Sequence, residues 1–291
     1  MNNYSKGFNK PEVASPLSGW RKGRPRGCRS CLAILLLLPL LLYLLAPLGT
    51  RLLILGIDRT ADGSWAGRSD TLMLARVNPL LPTVKLLSIP RDLWVTIPFN
   101  GENRINTAHF FAEALTAGTG PSLTMETIRE NFGVPVKYYL RFKVNGFAEL
   151  IDAMGGLTLT LKEPMAGLPA GSHWLDGSQA LAFVRSRSGS DDFARMRQGQ
   201  VFMAAFARQL LNPATWSRVP YMLTKVMAAV DSNLPIWLWP RVVTSFAFAG
   251  IFGFETLVID RSMVTPTVTS EGAQVLLPNW GLILPFVGEN F

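Results

Sequence analysis

Residues 31–48 read CLAILLLLPLLLYLLAPL, an uncharged run made mostly of leucine. A helix rises about 1.5 Å per residue, so this run spans about 27 Å, close to the hydrocarbon core of a bilayer. Pro39 would disrupt a helix in water but is tolerated in one that spans a membrane. The run is long for a cleaved signal sequence and no small-x-small site follows it, so it reads as a retained transmembrane helix. Seven cations (Lys6, Lys10, Arg21, Lys22, Arg24, Arg26, Arg29) precede it against Glu12 alone. The positive-inside rule therefore leaves residues 1–30 in the cytoplasm as a basic tail of disordered composition. Everything after Gly49 lies on the outer side of the plasma membrane, in a single-pass arrangement.

Dividing the charge this way removes a class of function. The tail holds +6 of the net +8, which leaves only +2 for the rest of the chain. The basicity reports helix orientation and contact with membrane lipid, and nucleic acid is not a partner. Both cysteines, Cys28 and Cys31, sit at the cytoplasmic edge of the helix. They are either acylated there or incidental. The outer domain has no cysteine, which excludes disulfides and thiol chemistry from it.

Residues 51–291 alternate strand-like and helix-like patterns. RLLILGID (51–58), RSDTLMLARVN (68–78) and TVKLLSIPRDLWVTI (83–97) read as three successive strands, with Asn78-Pro79 and Pro82 marking a turn. Residues 107–132 read as helix broken at Gly118–Pro121, 137–142 as strand, 145–154 as helix stopped by Gly155-Gly156, and LTLTL (157–161) as strand. Asp176-x-x-Gln179 has the form of a capping box, and Asp191 or Asp192 caps a longer helix over 193–211. The apolar stretch 213–253 is interrupted by Arg241 and reads as helices packed on the sheet. This interleaving indicates an α/β domain with a sheet covered on both faces.

Several chemistries drop out. There is no P-loop, no dinucleotide glycine fingerprint and no zinc pattern, and neither His109 nor His173 has a nucleophile motif beside it. A lone histidine on a helical stretch such as His109 reads as structural. What remains is arginine and aspartate: after Gly49 there are sixteen Arg and five Lys. Arginine's planar fork grips phosphate oxygens in pairs, which lysine cannot do. Arg185 and Arg187 lie two apart with Arg195 within a loop's reach, which suggests an anion site. Asp58 ends the first strand and Asp70 starts the second, so antiparallel pairing brings both to one sheet edge. Such a pair suits Mg²⁺ bridging phosphate oxygens; the alternative is two loop-capping aspartates.

At these residues the chain resembles the LytR-CpsA-Psr family of cell-envelope phosphotransferases. The matching pieces are LLILGIDR (52–59), RSDTLMLARVNP (68–79), VKLLSIPRDLWVTIP (84–98), RINTAH (104–109), YYLRFKVNGFAELIDAMGGLTLTL (138–161), LDGSQALAFVRSR (175–187) and DFARMRQGQ (192–200). The resemblance, clearest over 52–211, implies a three-layer α/β/α domain with a mixed central sheet and an apolar pocket for a polyprenyl tail. It implies transfer of a glycopolymer phosphate from a polyprenyl-pyrophosphate-linked glycan to a peptidoglycan acceptor. By position, Asp58 and Asp70 match metal-associated acids, for Mg²⁺ or Mn²⁺. Arg68, Arg91, Arg104, Arg185, Arg187, Arg195 and Gln200 match the pyrophosphate-binding set. Arg91 and Asp92 are the catalytic candidates, Asp92 positioning or deprotonating the acceptor hydroxyl.

The chain departs from the family at one point. Where the family runs Arg-x-x-Arg-Gln-Gln, it has Arg195, Gln198, Gly199 and Gln200. Arg197 lies about 200° round the helix from Arg195, whereas position 198 lies about 60° away, so Arg197 does not simply substitute. Two other readings stay open: a pyrophosphatase using water as acceptor, and a non-catalytic polyprenyl-phosphate binder or membrane regulator. With no linker before Leu52, the anchor is expected to hold the site at the membrane surface.

Overall fold

The computed structural model describes residues 37–39, 41–43, 49–57, 64–78, 83–186 and 192–291. Asp58, Arg187, both cysteines and most of the 31–48 run lie outside the described residues. Within that run, 37–39 and 41–43 are helical, with Leu37, Leu38, Leu41 and Leu42 exposed. Among the described residues no helix is long and apolar enough to cross a membrane. The chain divides into two units, Met1–Tyr43 and Leu44–Phe291.

The larger unit starts with an antiparallel meander, β1 (Thr50–Ile57), β2 (Ser69–Asn78) and β3 (Thr83–Ser88). A separate hairpin follows, β4 (Trp94–Ile97) and β5 (Gly101–Arg104), then helices α1 (Thr107–Leu115) and α2 (Gly120–Phe132). Next come β6 (Tyr138–Lys143), α3 (Val144–Met154), the hairpin β7 (Leu157–Leu161) with β8 (Gly171–Leu175), and α4 (Gly177–Arg185). Helices α5 (Asp192–Leu211), α6 (Pro213–Trp216) and α7 (Val219–Ala229) lead to β9 (Val230–Ser232). Helix α8 (Trp239–Phe252), β10 (Phe254–Val258), the hairpin β11 (Val264–Val268) with β12 (Gln274–Pro278), and α9 (Trp280–Asn290) complete the unit.

Six strands form the central sheet in the order β10-β3-β2-β1-β6-β9. β10 runs parallel to β3 and β6 parallel to β1, and the other pairs are antiparallel, so the sheet is mixed. Alternation along β1 decides the layers. Leu53, Leu55 and Ile57 pack with Ile128 and Phe132 of α2 and Ile283 and Val287 of α9. Leu52 and Ile54 belong to the opposite cluster, with Val242 and Ala249 of α8. Both faces are covered, giving the α/β/α arrangement. A further core joins α3, α4 and α5 under the β7–β8 hairpin.

The expected strand over 83–97 is two strands. Pro90 has no N–H to donate to a ladder, and the chain turns over Arg91 and Asp92 before β4 begins. The two candidate residues therefore stand at the end of the sheet rather than within it. The capping box forms as read: Asp176 Oδ1 accepts from the Gln179 amide at 2.7 Å and Gln179 Oε1 from the Asp176 amide at 3.1 Å. The stretch 213–253 forms α6 to α8, with α8 against β2 and β3. The strands β5 and β8 to β12 and helix α9 are additions the sequence patterns do not announce.

Register fixes the two ends of the sheet. Thr50, Val77, Val84 and Phe254 lie in one row across β1, β2, β3 and β10. At the other end Ile57 pairs with Ser69, and the Ile89 amide donates to Leu72 O. At about 3.3 Å per residue, β1 separates these ends by about 23 Å. Leu55 is fully buried between the layers. Leu55→Ala is expected to lower unfolding free energy by about 2–5 kcal/mol in denaturant titrations. Leu115→Ala, at a site 85% exposed, should stay within about 0.5 kcal/mol.

Candidate active site

The opening meander reaches the site end of the sheet at the end of β1, the start of β2 and the turn after β3. Ser69 is fully buried, so its neighbours Arg68 and Asp70 share the opposite, outward side of the strand. Backbone bonds tie this corner together. Ser69 N donates to Asn106 O at 3.3 Å and Asn106 N to Arg91 O at 3.2 Å, so β2, the Arg91 turn and the start of α1 are locked to one another.

On that frame, four charges of alternating sign form a chain. Arg91 Nη1 donates to Asp70 Oδ1 at 2.9 Å. Arg91 Nε lies 3.4 Å from Asp92 Oδ2, and Arg104 Nε lies 3.4 Å from Asp92 Oδ1. Arg104 also donates to Gln274 O at 3.1 and 2.7 Å, which fixes its guanidinium against β12. Their side chains are between 23% and 33% exposed, open enough to meet a ligand and dry enough for charge to count. The Oδ1 of Asn106 is buried in the same corner and has no hydrogen-bond partner among the described residues.

The remaining predicted residues sit around this chain. Arg68 is exposed at the start of β2; Arg185 ends α4 and Arg195 is half-buried near the start of α5. Asp58 follows Ile57, which pairs with Ser69 across a bulge, but like Arg187 it is outside the described residues. Gln200 is buried, and its Nε2 donates to Ser88 Oγ at 3.0 Å and Leu257 O at 2.8 Å, spanning β3 and β10. The unusual segment beside it also faces the sheet. Gln198 is buried, and a Cβ at position 199 would lie 3.0 Å from Met73 Cε, so Gly199 makes room for Met73. Arg197 points elsewhere, into a cavity of about 720 Å³ shared with Phe193, Asp260 and Arg261 beyond the end of β10. Among the described residues no group of three or more His, Cys, Asp or Glu could hold a metal ion.

Sequence reasoning missed a second charged group. Arg141, on β6, is only 3% exposed. Its Nη1 bonds Glu113 Oε2 at 2.9 Å, its Nε bonds Asp231 Oδ2 at 2.6 Å, and its guanidinium stacks 4.5 Å from the Trp65 ring. The available signal was an arginine in the middle of an otherwise apolar strand, YYLRFK. Glu113 also accepts from the Gly118 and Gly120 amides at 2.8 and 2.9 Å. Burial pushes its carboxyl up, but these two amides and Arg141 outweigh burial and hold it low. The hydroxyl of Tyr139 donates to Asp231 at 3.0 Å; burial, then the Asp231 charge, pushes it up to about 12.

His109 closes this group. Its Nδ1 lies 2.9 Å from Gly67 O, which can only accept, so Nδ1 carries the proton. Nε2 is then an acceptor for Arg141 Nη1 at 3.2 Å. Burial lowers the pKa of this imidazole; the Gly67 carbonyl opposes, Arg141 lowers it further and Glu113 opposes. Histidine and arginine together hold Trp65 and Gly67, in the loop that delivers Arg68 and Asp70. The structural reading of His109 is right, but the structure it supports belongs to the site.

The family model described as LytR_cpsA_psr matches residues 49–260. A curated relative from Oceanobacillus iheyensis, the polyisoprenyl-teichoic acid--peptidoglycan teichoic acid transferase TagU, is 39% identical over 161 residues, covering 53% of this chain and 49% of its own. The regulatory protein MsrR of Staphylococcus aureus is 27% identical over 192 residues, covering 63% of this chain and 56% of its own. The chain thus spans about half the length of these curated relatives. The solved structure of TagT from B. subtilis matches with a TM-score of 0.62 at 23% identity, over 83% of this chain and 89% of that one. TagT bound to LIIa-WTA gives a TM-score of 0.64 over the same shares. At these identities the structures establish a shared fold.

The buried imidazole carries a pH consequence. Its folded pKa lies below the ordinary 6.5, so above that value neither state takes a proton and its contribution is complete. As pH falls below 6.5 the unfolded chain binds a proton that the folded one refuses, and stability is lost down to the folded pKa. The denaturant midpoint should therefore be lower at about pH 5.5 than at about pH 7.5, and His109→Gln should shrink that difference.

Proposed function

The chain belongs to the LytR-CpsA-Psr family, and from that premise we propose that it is a phosphotransferase moving a glycopolymer phosphate from a polyprenyl-pyrophosphate carrier onto peptidoglycan. The observation that carries the reading is the alternating chain Asp70–Arg91–Asp92–Arg104 at the open end of the sheet. A pyrophosphate presents the same kind of oxygen anion that Arg91 meets in Asp70 and Asp92, so bound substrate can take up guanidinium forks now turned to carboxylates. We further propose that residues 31–48 anchor the protein in the cell membrane with the 51–291 domain outside, which puts it on the side where peptidoglycan lies.

In this mechanism the acceptor hydroxyl oxygen attacks the phosphorus that bears the glycan. The bond from that phosphorus to the bridging oxygen breaks, and polyprenyl phosphate leaves with the electron pair. Asp92 accepts the hydroxyl proton. Arg91 and Arg104, joined by Arg68, Arg185, Arg187 and Arg195, neutralise the charge that spreads over the phosphoryl oxygens. Asp70 with Asp58 would hold Mg²⁺ or Mn²⁺, since hard carboxylate oxygens suit such ions. The ion, when bound, would supply further positive charge to the pyrophosphate.

Purified full-length protein given lipid-linked glycan and peptidoglycan should form a covalent glycan–peptidoglycan product. Arg91→Ala should slow transfer by about 10²–10³-fold, since it removes one charged donor from the half-buried cluster. Release of free phosphorylated glycan in place of the linked product would identify water as acceptor and replace transferase with pyrophosphatase. Chelation should abolish transfer, with added Mg²⁺ or Mn²⁺ restoring it in wild type. Asp70→Asn should leave little activity for either ion to restore.

A further inference from the structure

Helix α8 lies across one end of the sheet. It follows β9, whose Ser232 pairs with Leu140 of β6, and it leads into β10, whose first residue pairs with Val84 of β3. Four strand spacings separate β6 from β10, about 19 Å, and fourteen helical residues span about 21 Å. The helix therefore crosses the sheet near the row that contains Thr50, the end opposite Asp70 and Arg91.

Its outward side is unusual. Val243, Phe248, Ile251 and Phe252 are 45–65% exposed, and Ile236 and Trp237, in the turn that precedes the helix, are 83% and 64% exposed. The only charged residue of the helix, Arg241, points inward and is 4% exposed. Scattered apolar surface residues are ordinary, but a helix side with no charge, continued by a tryptophan-bearing turn, is not a solvated face. The exposed cation Lys137 stands at this end, just before β6. Arg51, Arg76 and Lys85 occupy the next row across β1, β2 and β3 but lie on the α9 face, where Arg76 and Lys85 bond Asn290 and Lys85 pairs with Glu255. Thr50, at this end, follows the apolar 31–48 run directly in sequence.

We infer that this surface of the domain, formed by Ile236, Trp237, Val243, Phe248, Ile251 and Phe252, rests on the lipid bilayer as a second membrane contact in addition to the proposed anchor. Apolar side chains would enter the headgroup boundary, the tryptophan would sit at the interface, and Lys137 would meet anionic headgroups. Because α8 covers the Leu52 and Ile54 face near one end of the sheet, the arginine–aspartate site would lie at the end farther from this contact.

The test uses full-length protein with Cys28→Ser and Cys31→Ser, reconstituted in phosphatidylcholine–phosphatidylglycerol vesicles. Trp237→Cys, Ile251→Cys and Ser262→Cys each receive an environment-sensitive fluorophore; Ser262 is exposed just past the opposite end of β10. The inference expects blue-shifted emission at 237 and 251, quenched by lipids carrying a nitroxide near the headgroup, and water-like emission without quenching at 262. Water-like emission at all three positions overturns it, as does a blue shift at 237 and 251 that the nitroxide lipids leave unquenched, which would mean a protein cover. Failure of the protein to associate with vesicles at all would instead sink the anchor reading on which the inference rests.

Discussion

Strand β1 is buried on both faces, and this fixes the rest of the domain. A slip of one residue would exchange Leu53, Leu55 and Ile57 with Leu52, Ile54 and Gly56, sending each set against the wrong helix layer. Gly56 tightens the constraint. A Cβ there would lie 2.9 Å from Thr71 Cβ and 3.2 Å from the Phe142 ring, and the ladder shifts at this point. The resulting bulge sets Ile57 opposite Ser69 and so decides where β2 presents Asp70. The position of Asp70 at the edge of this ladder follows from packing that has nothing to do with its charge.

Residues that carry chemistry at strand ends were legible because two local rules coincide with the fold. A charged residue where an apolar run begins marks where a buried strand meets solvent, which placed Asp70 at the start of β2, and Pro90 is a ladder breaker inside an apolar run. The continuous strand drawn over 83–97 ignored that proline, so the setting of Arg91 and Asp92 was misread: they stand in a turn. Gln200 shows the opposite limit. A glutamine on an amphipathic helix gives no sign that it will bridge Ser88 and Leu257 across two strands, because that depends on β10, a strand without a sequence signature of its own.

The Arg141 group was illegible for a related reason. Its partners come from α1, β6, β9 and the loop before β2, regions scattered between residues 65 and 231. A buried guanidinium loses several kcal/mol of hydration, and Glu113, Asp231, the His109 lone pair and the Trp65 face together offset that loss. No spacing rule predicts such convergence. Its consequence can be stated physically: rigid groups grip Trp65 and Gly67, so Arg68 and Asp70 emerge from a pinned loop, as a site that works by fixed charge requires.

The register also changes what the missing linker means. Thr50 and the Asp70–Arg91 pair stand at opposite ends of the sheet, so the site lies about 23 Å along β1 from the point where the strand begins. A pyrophosphate can cross that distance only if several isoprene units of its carrier leave the hydrocarbon with it. Each exposed methylene costs about 0.8 kcal/mol in water, so an uncovered tail of that length would be prohibitive. The proposed reaction thus makes a structural demand that charge alone does not: continuous apolar cover between the two ends of the sheet. The pocket that the family resemblance implies is the feature that would meet it, and the uncharged side of α8 lies where such a path would begin.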